Sequence, residues 1–146
     1  MEATFKQIAD QIGLTYYFED WSRANFALDG SRFGDLPALL DILPAAGQII
    51  ENPAGMIITE TERQLWFIGR NEMDSASEDD WNIVEAMTAK AREFLTRLNA
   101  THRYRYISNV QWRADYTLLT EHLGGIGITF TLTPLDGVCV DNLLEQ

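Results

Sequence analysis

Phe5, Ile8, Ala9 and Ile12 fall at i, i+3, i+4 and i+7, while Glu2, Lys6, Gln7, Asp10 and Gln11 are polar. That spacing lays one apolar stripe along a helix of about three turns. Gly13 stands where a residue of left-handed backbone would end it. Leu14–Phe18 is β-prone, Glu19-Asp20 suggests a turn, and Arg23–Leu28 reads as a second short extended piece. Asp29-Gly30-Ser31 and Gly34-Asp35 are turn signals. Pro37 and Pro44 then bracket Ala38–Leu43, a run too short for a stable helix and therefore a strand. Gln48–Ile50 extends the sheet after it, and Asn52–Gly55 is a further loop. Met56–Ile58 and Leu65–Ile68 read as two strands, with polar Thr59–Gln64 as the hairpin between them.

The strongest periodic signal comes next. Val84, Met87, Ala91, Phe94, Leu95 and Leu98 recur at threes and fours and predict a helix over 80–98. An acidic, serine-rich linker over 71–80 leads into it. Ser77 with Asp80 forms a capping-box pattern, and Ser75 with Glu78 a competing one. Asp79 and Asp80 suit the positive end of the helix dipole, and Arg92 and Arg97 the negative end. Tyr104–Trp112 and Asp115–Leu119 are strand candidates, and Gly124-Gly125 is a break. In the last strand Ile126, Ile128, Phe130 and Leu132 alternate with Gly127, Thr129, Thr131 and Thr133. Pro134 ends it, leaving a tail over 135–146 that is a candidate for flexibility. Helix, strands, long helix and strands in that order, with short connections, predict an α+β fold. Its antiparallel sheet carries both amphipathic helices on one face.

Length makes this one domain. The chain has 146 residues, and domains most often hold about 100–150. Charge narrows the partners. There are 22 acidic and 11 basic residues, a formal net charge of −11, which repels phosphate backbones and anionic membranes. Nucleic acid and membrane are therefore not expected partners. The one cysteine, Cys139, excludes an intrachain disulfide and suits a reducing, cytoplasmic setting. The N-terminal stretch has neither the basic nor the long apolar region of a signal peptide.

Candidate chemistry is sparse. His102 and His122 lack metal-ligand spacing, so no metal and no cofactor is expected. Cys139 has no local motif of a nucleophile and reads as a small apolar residue. Glu60 and Glu62 would share a strand face, though a hairpin loop makes them solvated charge. Gly124, Gly125 and Gly127 lack the following Lys-Ser/Thr of a phosphate loop. Glu72, Asp74, Glu78, Asp79 and Asp80 form an acidic cluster without calcium-loop order. Lys90, Arg92, Arg97, Arg103, Arg105 and Arg113, against one acid, Glu93, make the stretch 90–113 basic. On a strand, Arg103 and Arg105 would share one face and Tyr104 and Tyr106 the other. A basic surface on an acidic chain suits self-complementary assembly as well as plain solvation. The candidate interaction surface is therefore Arg97, Arg103, Arg105 and Arg113 with the acids Glu72, Asp74, Glu78, Asp79 and Asp80.

Residues 78–132 also resemble a known family. An acidic loop leads into a helix carrying Ile83–Met87 and Ala91–Leu98. A strand region follows, and then Leu123-Gly124-Gly125-Ile126-Gly127-Ile128-Thr129-Phe130-Thr131-Leu132. This resembles the small tail-terminator and tail-completion proteins of tailed phages and prophages. The resemblance implies a non-enzymatic, ring-forming homo-oligomer at the end of a tail tube or at the head–tail neck. Its partners would be copies of itself and other tail or neck proteins, in the cytoplasm or in an assembled virion or tail-like particle. The alternative is a small-molecule-binding domain or enzyme whose pocket is lined by Trp21, Trp66, Trp81 and Trp112. Against that pocket stands the use of tryptophan as core filler.

Overall fold

A computed structural model of the chain describes residues 3–19, 37–70, 77–118 and 123–135. In chain order the elements are α1 (Ala3–Gln11), β1 (Thr15–Glu19), β2 (Ala38–Ile42), β3 (Gly47–Glu51), β4 (Ile57–Arg70), α2 (Ser77–Ala100), β5 (Gln111–Leu118) and β6 (Leu123–Leu132). The six strands form one sheet in the order β1-β2-β4-β6-β5, with β3 beside the first part of β4. Every pairing is antiparallel except β1 with β2, which run parallel. The fold is α+β, as the sequence predicts.

The first helix ends as its glycine requires. Gly13 has φ +79°, a conformation that costs glycine nothing. It lets Leu14 N–H reach the Ala9 carbonyl at 2.8 Å and Gly13 N–H the Asp10 carbonyl at 3.4 Å, the paired bonds of a Schellman end. Leu14 is then buried against the core that α1 covers.

Both helices lie on one face of the sheet. Val84, Met87, Ala91, Phe94 and Leu98 of α2 and Phe5, Ile8 and Ala9 of α1 are buried with Leu65, Phe67, Ile126, Ile128, Phe130 and Leu132 from the strands. Phe94 anchors this layer, edge-on to Phe5 at 5.3 Å and to Phe67 at 5.7 Å. Such aromatic pairs contribute about 0.5–1.5 kcal/mol each beyond their burial. Lys90 Nζ ties the helices together by donating to the Ile12 carbonyl at 2.6 Å.

The other sheet face is apolar at its centre. Leu40, Trp66 and Ile68 are buried there. They alternate with the helix-side residues Leu39, Leu65 and Phe67, so β2 and the second half of β4 have no polar face. That is why Ala38–Leu40 and Leu65–Ile68 read as unbroken apolar runs.

Three expectations are corrected. Thr59–Gln64 is not a hairpin loop, because Ile57–Arg70 is one strand of 14 residues. Its polar stretch stays extended because β3 pairs with it on one side and the end of β6 on the other. The hairpin turns instead at residues 52–56, closed by Asn52 N–H to the Met56 carbonyl and Met56 N–H to Asn52 Oδ1, both 2.8 Å. Next, Tyr104–Trp112 and Asp115–Leu119 are not two strands. One strand covers Gln111–Leu118, and Tyr104 makes a single bridge to Pro134. The side chain of Asn99 takes over after that bridge: its Nδ2 donates to the Ile107 carbonyl at 3.1 Å, and its Oδ1 accepts from Ile107 N–H at 2.9 Å. Finally, Gly124-Gly125 does not break the chain but lies inside β6, opposite Gly69 and Ile68. A Cβ on Gly125 would lie 1.9 Å from the Phe67 carbonyl oxygen, so glycine keeps the strand continuous there. The helix over 80–98 is longer than its periodic stretch, running 77–100. Arg23–Leu28, the turn signals at 29–35 and the tail beyond 135 lie outside the described residues.

Candidate interaction surface

The most enclosed polar group is an ion pair under α1. Arg63 Nη2 donates to Asp41 Oδ1 at 2.7 Å and to Oδ2 at 2.8 Å. Tyr16 Oη also donates to Asp41 Oδ2. The guanidinium lies 4.7 Å from the Phe5 ring centroid. Both charged side chains are almost fully withdrawn from water. One cluster thus fastens β1, β2, β4 and α1 together. Such a pair is costly to break because it would leave a buried charge uncompensated. Its enclosure makes it a structural device.

The accessible features lie on the flank formed by α2 and β5. Among the described residues β5 is an edge strand, paired on one side only, to β6. Register places Trp112 opposite Ile128, and so on the helix side of the sheet. On α2 the positions 81, 85, 88 and 92 make a stripe beside the buried one. Trp81, Glu85, Thr88 and Arg92 from that stripe, with Val84 and Trp112, line an open cleft of about 330 Å³. A second, wider cleft of about 600 Å³ continues from Arg92 along α2 to Asn99, His102 and Tyr106. Three large aromatic residues stand out to solvent on this flank: Trp81 at 45%, Trp112 at 56% and Tyr106 at 74% exposure.

The opposite side of β5 is different. Arg113 pairs in register with Gly127 and holds its guanidinium 5.3 Å from the centroid of the Trp66 ring. Gln64, Gln111, Gly127 and Thr129 complete a shallow depression of about 430 Å³ there. Gly127 is required by the indole it supports, since a Cβ would lie 2.7 Å from Trp66 Cζ2.

A second exposed apolar surface lies on the β3–β4 hairpin. Ile49 pairs with Thr59 and Glu51 with Ile57, so these four share one face, the one that carries Arg63 and Leu65 further along β4. Ile49 is 75% and Ile57 67% exposed. On the reverse face Ile58 is buried, and Glu60 Oε2 accepts from Thr133 Oγ1 at 2.6 Å.

The basic residues predicted as one surface are divided. Arg97, on the last turn of α2, donates to Glu93 Oε1 at 3.3 Å and to Gln11 Oε1 at 3.1 Å. Arg103 Nη1 donates to Thr4 Oγ1 at 3.2 Å. Both reach α1, but at opposite ends of it. Arg105 is exposed, and its backbone N–H donates to the Thr133 carbonyl at 2.7 Å. Arg103 and Arg105 do not stand on a regular strand. Arg113 belongs to the far side of the sheet. Glu78, Asp79 and Asp80 fall in the first turn of α2, while Glu72 and Asp74 lie outside the described residues, as do Cys139, His122 and Trp21. His102 is exposed just past the end of α2, with φ +56°. Among the described residues no group of His, Cys, Asp and Glu is arranged to hold a metal, and no helix is long and apolar enough to cross a membrane.

Sequence reasoning did not single out the exposed isoleucines; of the four tryptophans it gathered into one candidate pocket, Trp81 and Trp112 line this cleft, Trp66 is buried on the opposite face of the sheet, and Trp21 lies outside the described residues. Ile49 and Ile57 carry the same signal as core residues, and only the register reveals that the helices do not cover them. No family model matches the chain, and neither a curated protein nor a solved structure is significantly similar to it.

Proposed function

We propose that the protein is a non-enzymatic structural assembly subunit, built to bind copies of itself and neighbouring proteins. The observation that carries this reading is the aromatic flank. Trp81, Trp112 and Tyr106 stand exposed beside an edge strand, with Arg92 among them. Tryptophan, tyrosine and arginine are the residues that dominate binding energy at protein interfaces, and an edge strand offers unpaired backbone groups to a partner. The pattern of residues 78–132 that resembles phage tail-terminator and tail-completion proteins supports the same role. It makes the end of a tail tube or the head–tail neck the setting we propose.

The test is the mass in solution, by size-exclusion chromatography with light scattering, at low and high salt. The expected result is a homo-oligomer several times the 16.6 kDa of one chain, shrinking as salt rises. A single-chain mass at every concentration and both salts would refute self-assembly. The competing reading is a small-ligand site, favoured by the meeting of two tryptophans in one cleft of about 330 Å³, the lower end of the usual ligand range of about 300–1,000 Å³. A metabolite that shifts tryptophan fluorescence in the wild type but not in Trp81→Phe would support that alternative.

A further inference from the structure

Resting on the self-assembly reading, we infer that two copies join β5 to β5, antiparallel, about a two-fold axis that passes through Ala114.

Among the described residues no strand lies along the outer edge of β5, and the backbone groups of such an edge are a template for another strand. From Gln111 to Asp115 the register with β6 is regular. Trp112 and Ala114 therefore stand on the helix side of the sheet, and positions 111, 113 and 115 on the far side. Residues directly opposite in an antiparallel pair share a face. When the strand pairs with its own copy, odd positions must therefore meet odd and even meet even. The axis then runs through a residue and never between two.

The sequence of β5 selects which residue. An axis through Arg113 sets two arginines opposite each other, and an axis through Asp115 sets two acids; like charges directly opposite are destabilising. An axis through Trp112 pairs only Gln111–Arg113 within the strand, and one through Tyr116 falls where the register with β6 shifts. An axis through Ala114 puts position 113 of each copy opposite position 115 of the other. Arginine then meets aspartate twice, and the smallest residue of the strand sits on the axis. Arg113 is already held in place by the Trp66 ring.

The register shift between Asp115 and Leu118 ends regular pairing, so the shared ladder is short and needs a second contact. The tryptophans supply it. α2 rests chiefly on β4 and β6, so the two copies of α2 stand about three strand spacings apart, roughly 14 Å at ~4.8 Å each. Helices in direct contact lie about 8–10 Å apart. The cleft that Trp81 and Trp112 line opens toward the β5 edge in each copy, and the two clefts face each other across the axis. Four indoles fill the gap between the helices. Such a contact is isologous and closes on itself, so it makes a dimer, and any larger particle uses a further surface.

The experiment uses charge exchange in the full chain. Arg113→Glu alone and Asp115→Arg alone each set like charges opposite across the axis, twice. Each is expected to run at no more than half the wild-type mass by light scattering. Mixing the two in equal amounts, or combining both changes in one chain, restores opposite charges and is expected to restore that mass. Circular dichroism with a thermal melt verifies folding. A second test needs no charge change. Cys139 is the one cysteine, and in a Cys139→Ser background the axis brings the two copies of position 114 within about 4.5–5.5 Å, a disulfide's reach. Ala114→Cys is expected to give a covalent dimer on oxidation, and Gln111→Cys is not. A wild-type oligomer whose mass the single charge changes leave intact, or an Ala114→Cys protein that does not cross-link, would overturn the β5 contact while leaving self-assembly standing. A monomeric wild type would overturn both.

Discussion

Gly127→Ala tests the packing of the sheet on the face away from the helices. The added Cβ would lie 2.7 Å from Cζ2 and 2.8 Å from Cε2 and Cη2 of Trp66. Carbon atoms rest at about 3.5–4.0 Å, so the indole must retreat by nearly an ångström. It has little room, because Trp66 is 2% exposed. Overpacking of this kind costs about 1–3 kcal/mol. Replacing glycine in a strand returns about 0.5–1 kcal/mol of backbone entropy. The net expectation is a loss of about 1–2 kcal/mol, or a fall in Tm of about 3–8 °C for a domain of this size. Urea unfolding followed by circular dichroism reads it as a lower midpoint with an unchanged slope. The three crowded atoms belong to the benzo ring of the indole, so the cost should largely vanish in a Trp66→Phe background. A Gly127→Ala protein as stable as the wild type, or one that loses the same amount in both backgrounds, would refute the argument that this glycine exists for the indole.

Two further outcomes follow from polar side chains, one buried and one half-buried. Asp41→Asn removes the charge that compensates Arg63, and breaking such a buried pair costs about 3–5 kcal/mol. Thermal melts should show that loss, and the double change Asp41→Leu with Arg63→Met should recover most of it; a single variant that melts like the wild type would remove the pair from the list of stabilising contacts. Asn99→Ala takes away both bonds to the backbone of Ile107, which should lower stability by about 1–2 kcal/mol. Hydrogen exchange should then show the Ile107 amide losing its protection, and unchanged protection would mean that another group holds this segment.

What was legible in the sequence is what periodicity encodes. The stripes of α1 and α2, Gly13 as a helix end, the strand between Pro37 and Pro44, and the alternation of Ile126 to Leu132 were all predicted and are all present. The misreadings have a common physical cause, because pairing partners distant in sequence decided them. Thr59–Gln64 looks like a loop from composition, yet two neighbouring strands keep it extended. Arg103–Tyr106 alternates like a strand, yet a single bridge to Pro134 and the side chain of Asn99 direct its path. The parallel pairing of β1 with β2 has no local signature at all. The candidate surface was half visible. Charge segregation along 90–113 could be read directly, but the division of its arginines between the α1 seam and the far side of the sheet depends on register. Asp41 and Arg63 likewise gave no hint of each other, being 22 positions apart.

The place of β6 in the sheet sets the order of events during synthesis. This strand lies between β4 and β5 and supplies Ile126, Ile128, Phe130 and Leu132 to the core. Its partner rungs reach from Thr61–Leu132 to Arg70–Leu123, so the central pairing joins residues far apart in the chain. Contacts of such long range close slowly. Until residues 123–132 are made, β4 can pair with β2 and β3 but lacks β6, and the core lacks Ile126, Ile128, Phe130 and Leu132. The core closes only after residue 132 has emerged, and a nascent fragment shorter than that cannot present the native flank. The assembly we propose would then be open only to copies whose translation has passed this point, a check that follows from strand order.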